Sequence, residues 1–525
     1  MALLYVRRDM LAPQAPPASQ SGAIHWVRDN LFKGPFNTIL TLLAAWVLFE
    51  LVSLSWPWLA NGVWSGASSM ADCRAAVAAK AGPDASGACW AMIRERWPQF
   101  IFGFYPPELW WRPILTFGLL FVALAPVLYA DNKSAMSKLC GVVGVLTVIC
   151  LIGADGFSFH TVLTIALFAA LTAAAAIKPR LLLIVTLIFP FLALWMMWGG
   201  SIWGPISVMV GFALVVWVVI TAQPKLGTIA ATILAVLAFT AFFLDPISSV
   251  LDLAAGVVNF VASWFTSTNW HPTLAGSVFG LGFDLRNLLP LQPQVSEAWQ
   301  AMLPYDLTYV ASDKFGGFLL AFVIGVSSIS ISLPLGILLA LGRRSDMFLV
   351  KTLSVGFIEF VRGVPLITML FTASLLLQYF LPPQTKFDLI LRVVILVTIF
   401  SAAYNAEVVR GGLAALPRGQ YEAADALGLD YWQAQRLIIM PQALKISIPG
   451  IVSTFIGLFK DTTLVSFVGL ADPLRGITTI VRADIAWKGI YWEPYIFVGA
   501  IFFLVCFGMS RYSMYLENKL KTDHR

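Results

Sequence analysis

The stretch Leu416–Pro441 reads LPRGQYEAADALGLDYWQAQRLIIMP, and it is polar although apolar segments precede and follow it. Pro417 and Gly428 predict the beginning and the left-handed stop of a short helix that lies between them. Asp430 can cap a second helix, and Gln433 stands at the third helical position, where it would complete a capping box. The sequence therefore predicts two short helices joined by a glycine turn.

The first of these helices is predicted to carry Ala423, Ala424 and Leu427 on one face, because residues three and four apart are neighbours on a helix. Small side chains on an exposed face would let the backbone of another protein come close. Two interpretations fit these features. The segment is either an ordinary amphipathic connector or a docking helix for a partner.

The composition is that of an integral membrane protein. Of the 525 residues, 59% are hydrophobic and only 12% are charged, whereas a soluble domain averages about 25% charged residues. The net charge of +6 suits basic loops that face an anionic bilayer surface, not nucleic acid. The amino-terminal residues have no apolar run with a small-residue cleavage site, so we expect no cleaved signal peptide. Five cysteines are too few for a disulfide scaffold, and the four histidines are too scattered for a metal site.

The chain contains twelve predicted spans, since a spanning helix needs about 20 mostly apolar residues. Residues 251–265 are interpreted as an interfacial or re-entrant piece. Seven spans are expected in the first half, at 37–57, 113–130, 139–154, 157–177, two within 181–224 that are broken at Gly199-Gly200, and 226–244. Five more are expected at 316–341, 352–380, 389–411, 444–468 and 494–512.

Basic residues in the short loops predict a cytoplasmic amino terminus and carboxyl terminus. They are Lys133, Lys138, Lys178, Arg180, Lys225, Arg343 and Arg344. The same orientation places the polar stretch inside the cell and residues 58–112 outside. Cys73 and Cys89 lie in that outer loop, where an oxidising compartment would allow a disulfide. The alternative is that they are two unpaired small residues.

The polar stretch is similar to the EAA signature of ATP-binding-cassette (ABC) importer permeases. The matching residues are Glu422-Ala423-Ala424, Gly428, Ile438 and Met440-Pro441, and Met440 departs from the usual leucine. In that family the segment is a cytoplasmic coupling helix that docks into a groove of a separate ATPase subunit. The resemblance implies an ATPase-coupling role for Arg418, Gly419, Gln420, Glu422, Ala423, Ala424, Gly428 and Pro441.

Residues 312–515 resemble the permease unit of polar amino-acid uptake systems of the histidine type. Three more motifs carry this resemblance: EFVRGVPL from Glu359, AYNAEVVRGG from Ala403 and KDTTLV from Lys460. The long amino-terminal half resembles the larger permease subunit of general L-amino-acid importers. The family implies an all-α protein of the bacterial inner membrane with a five-helix ABC type I importer core.

Ionisable residues within spans are costly and by default face a cavity or a partner. Glu359 with Arg362, and Glu407 with Arg410, are three residues apart and can meet on one helix face. Gly363 with Pro365 predicts a break beside the first pair. The candidate translocation residues are Glu359, Arg362, Glu407, Arg410, Lys460, Asp461 and Thr462. Alternatively, these pairs fix helix packing or lie at the cytoplasmic interface.

No Gly-Lys dipeptide occurs in the chain, so it has no P-loop, and ATP with Mg²⁺ is expected on a partner. We expect no cofactor on this chain. The predicted partners are an ABC ATPase dimer, a second permease subunit, a periplasmic amino-acid-binding protein and membrane lipids. The alternative function is an ion-coupled secondary transporter that uses in-span carboxylates such as Glu50. A membrane enzyme is disfavoured because no His-Glu-x-x-His or Gly-x-Ser-x-Gly motif occurs.

These interpretations divide the chain into five parts. They are a cytoplasmic tail at 1–36, an accessory transmembrane region at 37–244 that includes the outer loop, a periplasmic or interfacial connector at 245–311, the ABC permease core at 312–515 with its coupling segment at 416–441, and a cytoplasmic tail at 516–525.

Overall fold

The computed structural model describes residues 23–129, 132–243, 291–380 and 388–520, and they are mainly helical. Two dipeptide strands, β1 (Gly200–Ser201) and β2 (Asp306–Leu307), pair antiparallel. The helices are α1 (Ala23–Leu31), α2 (Pro35–Ala60), α3 (Met70–Ala81), α4 (Ala91–Phe102), α5 (Trp111–Leu128), α6 (Lys133–Asp155), α7 (Phe159–Ile177), α8 (Leu182–Trp198), α9 (Trp203–Phe243), α10 (Leu291–Met302), α11 (Gly317–Arg343), α12 (Phe348–Gly363), α13 (Leu366–Phe380), α14 (Leu389–Ala414), α15 (Arg418–Ala426), α16 (Tyr431–Ala434), α17 (Met440–Asp461), α18 (Pro473–Ala483) and α19 (Trp492–Leu520).

Within the described residues, ten helical segments are long and apolar enough to cross a membrane, and a bent pair makes an eleventh. The ten are Pro35–Ala60, Pro107–Leu128, Lys133–Ala154, Phe159–Ile177, Pro179–Trp198, Trp203–Gly227, Gly317–Arg343, Leu389–Ala414, Tyr431–Val468 and Trp492–Leu520.

Counted with the bent pair, the described residues contain one candidate span fewer than the twelve predicted. The prediction without a match is the span at 226–244. The long helix α9 is interrupted at Gly227, whose φ is +79°, and the described part of the apolar helix that follows, Ala230–Phe243, is by itself shorter than the roughly 20 residues that a bilayer needs. Residue 244 and the predicted interfacial piece at 251–265 lie outside the described residues.

The break predicted beside Glu359 is confirmed. Helix α12 ends at Gly363, and α13 leaves at an angle of 100°. Val364 between them is extended, with φ −104° and ψ 132°, as the residue before a proline prefers to be. Residues 348–376 therefore form one broken span or a re-entrant pair, not a straight span over 352–380.

The described residues fall into two compact units. The first contains residues up to 97 together with 477–505. Here Cys73 and Cys89 are joined by a disulfide, and the buried Glu493 carboxylate accepts a hydrogen bond from the Cys89 amide at 2.7 Å. Arg96 forms an ion pair with Asp484. The loop that holds the disulfide is thus tied to Asp484 and to the first turn of α19, about 400 residues away.

The second unit contains residues 98–476 and 506–520 of the described chain. Its accessory helices α5 to α8 pack around Leu119, Val122, Cys140, Phe168 and Met196. The core helices pack mainly as α11 on α14 and α14 on α17. Small residues allow the close approach, because a Cβ at Gly336 would meet Asn405 and the Ala402 carbonyl.

Backbone bridges join the accessory helices to the start of the core within this unit. Gly103 pairs with Phe315, Gly316 pairs with Ala471, and β1 pairs with β2 just before the core. Gly103 has φ +67°, and a Cβ there would overlap the backbone of Gly316. Only glycine accommodates both the left-handed conformation and the contact.

Candidate functional site

The polar stretch folds as its local signals predict. Helix α15 runs over Arg418–Ala426 with Pro417 at its amino-terminal cap position. Gly428 has φ +69°, which makes it the left-handed residue that ends the helix. Asp430 and Gln433 form the capping box that begins α16, and the Gln433 amide lies 2.7 Å from Asp430 Oδ1. These local predictions are confirmed.

The expected shared face on α15 is wrong. Ala424 is buried at 1% exposure, whereas Ala423 and Leu427 are exposed. Consecutive residues point about 100° apart on an α-helix, and the half-buried Tyr421, three residues before Ala424, packs on the same hydrophobic core. The exposed residues of α15 are Arg418, Gly419, Glu422, Ala423, Asp425 and Ala426; Leu427 at the carboxyl-terminal cap is also exposed, and Gln420 is half-buried.

An exposed apolar surface continues from α15 into α16. Leu427 is 72% exposed, Tyr431 54% and Trp432 64%. Large apolar side chains that cluster on a polar segment mark an interaction site more often than a random surface does. The segment therefore presents a surface that suits a protein partner.

Two polar contacts hold α15 on the core. Gln442 Nε2 on α17 donates to Gln420 Oε1 at 3.0 Å. Arg344 Nη1, just after α11, donates to the Tyr421 hydroxyl at 2.9 Å, and its guanidinium lies 5.5 Å from the centre of the Tyr421 ring. The polar stretch is thus connected to two different core helices by its own side chains.

Between α16 and α17, residues 435–439 form a π-helical turn that the sequence analysis did not predict. Such turns occur often at functional sites. Met440 and Pro441 follow as the first residues of α17. Pro441 is exposed and its missing N–H is tolerated in the first turn of a helix.

Both predicted in-span pairs form, and the structure joins them. Glu359 lies 3.9 Å from Arg362, and Glu407 lies 3.0 Å from Arg410. Arg343 Nη1 connects the two carboxylates, at 2.9 Å from Glu359 and 2.6 Å from Glu407. We call these five side chains the charge cluster.

The charge cluster holds three guanidinium groups and two carboxylates, so its formal charge is +1. Glu407 is its least accessible member, with 17% of its side chain exposed. Arg362 lies 3.9 Å from Glu407 and also stacks over the ring of Tyr404 at 5.5 Å. Pairing of a carboxylate with several guanidinium groups offsets the cost of its partial burial.

Lys460, Asp461 and Thr462 are not part of this cluster. They stand at the far end of α17, about 30 Å along the helix from Met440. Lys460 is exposed, Asp461 is half-buried, and the fully buried Thr462 donates its hydroxyl hydrogen to the Phe459 carbonyl at 2.7 Å. The seven candidate translocation residues thus divide into two groups at opposite ends of the core.

Sequence reasoning missed Arg343 and Arg344 as site residues and used them only to orient the chain. A signal was present, because the two arginines directly follow a long uncharged span. Charges at the end of a span can reach carboxylates on neighbouring helices. Tyr421 and Gln442 carried no comparable signal.

Residues 332–522 match the family described as the binding-protein-dependent transport system inner membrane component. The chain is 56% identical, over 99% of both chains, to the glutamate/glutamine/aspartate/asparagine transport system permease protein BztC of Rhodobacter capsulatus. The chain belongs to the amino-acid ABC transporter permeases.

Two further relatives support this membership. The inner membrane amino-acid ABC transporter permease protein YhdY of Escherichia coli K12 is 33% identical over 97% of this chain and 96% of its own. The glutamate/aspartate import permease protein GltK of Escherichia coli O6:H1 is 31% identical over 42% of this chain and 97% of its own. A short permease thus aligns over nearly its whole length with less than half of this chain.

This ABC permease is therefore a multi-span transporter subunit with a type I importer core. The family membership confirms the main sequence-based reading and gives no support to an ion-coupled secondary transporter. The matched residues 332–522 overlap the 312–515 core that the sequence predicts. They include α15 and all five residues of the charge cluster.

Proposed function

We propose that this permease imports acidic amino acids and their amides, and that its 416–441 segment transmits the closure of a separate ATPase dimer to the core. The substrate class is supported by the 56% identical relative, whose name specifies glutamate, glutamine, aspartate and asparagine. The coupling role is supported chiefly by one observation, the exposed apolar surface of Leu427, Tyr431 and Trp432 beside Glu422.

The transport path in this proposal has two polar ends. The charge cluster lies at the inner end, close to α15, and Lys460, Asp461 and Thr462 lie at the outer end of α17. Amino acids are zwitterions, so a route with both cations and carboxylates offers partners to both of their charged groups. A net positive cluster favours anionic substrates over cationic ones.

The proposed orientation has both termini and the 416–441 segment in the cytoplasm, as the basic loops indicate. ATP and Mg²⁺ are held by the ATPase partner. A second, related permease subunit completes the complex, and the long amino-terminal half favours a heterodimer. A periplasmic binding protein delivers the substrate to outer residues within 58–112 and 245–311.

The experiment uses Gly428→Pro and Glu422→Lys in the complete complex, reconstituted in vesicles. Proline fixes φ near −65°, whereas Gly428 requires φ +69°, so the α15–α16 turn must rearrange. Glu422→Lys reverses the charge on the outward face of α15. In both variants we expect membrane insertion to persist while uptake per ATP hydrolysed falls about tenfold or more.

Asp29→Lys is the matched control, because it reverses an exposed acidic charge near the amino terminus and should leave uptake unchanged. Normal uptake by both variants, with the ATPase subunits still attached, would contradict the coupling role. Uptake that persists after ATP depletion but stops when the ion gradient collapses would favour the secondary transporter instead.

A further inference from the structure

Arg343 and Arg344 are consecutive residues at the end of α11, and they face two different parts of the site. Arg343 is the last residue of that helix and Arg344 is its carboxyl-terminal cap, in helical conformation. The Arg344 amide donates to the Leu341 carbonyl at 3.0 Å, and the Ser345 amide donates to Gly342 at 3.1 Å. The backbone of this helix end is therefore ordered by its own hydrogen bonds.

The same helix end packs tightly on α12. A Cβ at Gly342 would overlap the side chain of Ser354, so the two helices touch at this position. A close contact of this kind transmits displacement, because packed helices have little room to move independently.

Arg344 connects α11 to the coupling segment. Its Nη1 donates to the Leu413 carbonyl at 3.2 Å and to the Tyr421 hydroxyl at 2.9 Å. Leu413 is at the end of α14, and Tyr421 is in the middle of α15. One guanidinium group thus contacts both sides of the short linker that joins α14 to α15.

Arg343 connects α11 to the charge cluster. Its Nη1 reaches Glu359 on α12 and Glu407 on α14. Adjacent side chains diverge by about 100° around a helix, which lets one arginine face the carboxylates while the next faces α15.

We propose that the Arg343-Arg344 pair is a two-sided joint that links the position of α15 to the pairing of Glu359 and Glu407. When α15 moves, Tyr421 draws Arg344 and with it the end of α11, and Arg343 shifts against the two carboxylates. Both arginines are positioning residues, and the inference rests on the proposed coupling role of α15. The other connections of α15 to the core are the backbone linker at Ala415–Pro417, the hydrogen bond from Gln442 to Gln420 and the packing of Tyr421 on the hydrophobic core.

The test compares Arg344→Leu, Tyr421→Phe and the double variant in the complete reconstituted complex. Tyr421→Phe removes the hydroxyl but keeps the ring, and Arg344→Lys keeps the charge. We expect Arg344→Leu to lower uptake per ATP hydrolysed about fivefold or more while ATP hydrolysis continues. Tyr421→Phe should lower it less, the double variant should match Arg344→Leu, and Arg344→Lys should recover part of the loss.

Lys351→Leu is the control, since it removes an exposed cation from α12 and should not alter uptake per ATP hydrolysed. An unchanged ratio in Arg344→Leu would overturn the joint. If the double variant lost the sum of the two single losses in uptake per ATP hydrolysed, the proposal would also be overturned. Two residues that share one contact must give non-additive losses. If uptake and ATP hydrolysis fell in proportion and the ATPase subunits were lost from the complex, Arg344 would act only in docking. That result would overturn the proposed joint as well.

Gly428→Pro and Glu422→Lys are measured in the same preparation. If these two uncouple transport while Arg344→Leu does not, the joint fails and the coupling role of α15 stands. If none of the three uncouples transport, both proposals fail.

Discussion

At the residue scale, Asp472 shows how burial and capping compete. Its side chain is fully buried in front of α18 and accepts hydrogen bonds from the amides of Leu474 at 3.1 Å and Arg475 at 3.0 Å. These bonds favour the carboxylate, yet burial outweighs them and raises the pKa of Asp472 from 3.8 to about 6. The folded protein therefore binds this proton more tightly than the unfolded chain does.

This pKa predicts a stability change with pH. Since the folded pKa is raised, the contribution of Asp472 is complete below about pH 4, declines as the pH rises to about 6, and is lost above that. Asp472→Asn removes the ionisation and keeps one oxygen that can accept from an α18 amide, whereas its NH2 group cannot accept the second hydrogen bond. We expect it to raise the free energy of unfolding at pH 7 by up to about 3 kcal/mol and to flatten its decline between pH 4 and 6.

Denaturant unfolding of the detergent-solubilised protein at several pH values measures this effect. Asp72→Asn is the control, because Asp72 is fully exposed and hydrogen bonds from Ser68 and Ser69 lower its pKa. If stability of the Asp472→Asn variant still declined between pH 4 and 6 as in the parent protein, Asp472 would not be the group responsible.

At the element scale, two adjacent glycines on α14 have different surroundings. A Cβ at Gly412 would overlap the Ser447 hydroxyl and the Ala443 carbonyl of α17, whereas a Cβ at Gly411 would meet nothing within 4 Å. Ser447 also donates to the Val408 carbonyl at 3.2 Å. The α14–α17 contact that supports α15 therefore depends on Gly412 and not on its neighbour.

We expect Gly412→Ala to destabilise the core by about 1–3 kcal/mol, because overpacking separates the two helices. Gly411→Ala should be neutral or stabilising by up to about 1 kcal/mol, since alanine favours helix. Thermal unfolding of both purified variants makes the comparison. Equal melting temperatures for the two would show that α14 and α17 are not in close contact at this point.

At the scale of the whole molecule, a disulfide closes a loop that lies far along the chain from residues 416–441. Cys73 and Cys89 are 16 residues apart with their Cα atoms 5.9 Å apart. The Cys89 amide is also held by Glu493. Residues on two distant parts of the chain thus belong to one compact unit.

Replacing both cysteines by serine should destabilise this unit by about 3 kcal/mol, the effect of releasing a loop of this length. We expect faster proteolysis within residues 62–97, and unchanged protection of residues 98–243. Limited proteolysis followed by mass spectrometry measures both rates. Cys150→Ser removes an exposed free thiol and is the control, while equal cleavage of the double variant and the parent protein would refute the prediction.

The sequence alone determined the membrane class, most of the spans and the local structure of residues 416–441. Hydropathy is a sum over neighbouring residues, and a capping box or a glycine stop involves groups within about four residues of each other. For the same reason the break at Gly363 and Pro365 could be predicted, as could the two ion pairs spaced three residues apart. The resemblance of the motifs then indicated the family, which the relatives confirm.

Only the tertiary structure decided which distant residues meet. Arg343 and Glu407 are 64 residues apart, and Arg344 and Tyr421 are 77 apart, so no local pattern brings them together. The inward orientation of Ala424 depends in the same way on the core beneath α15. Contacts of this kind follow from how whole helices pack, and that packing is a property of many residues at once.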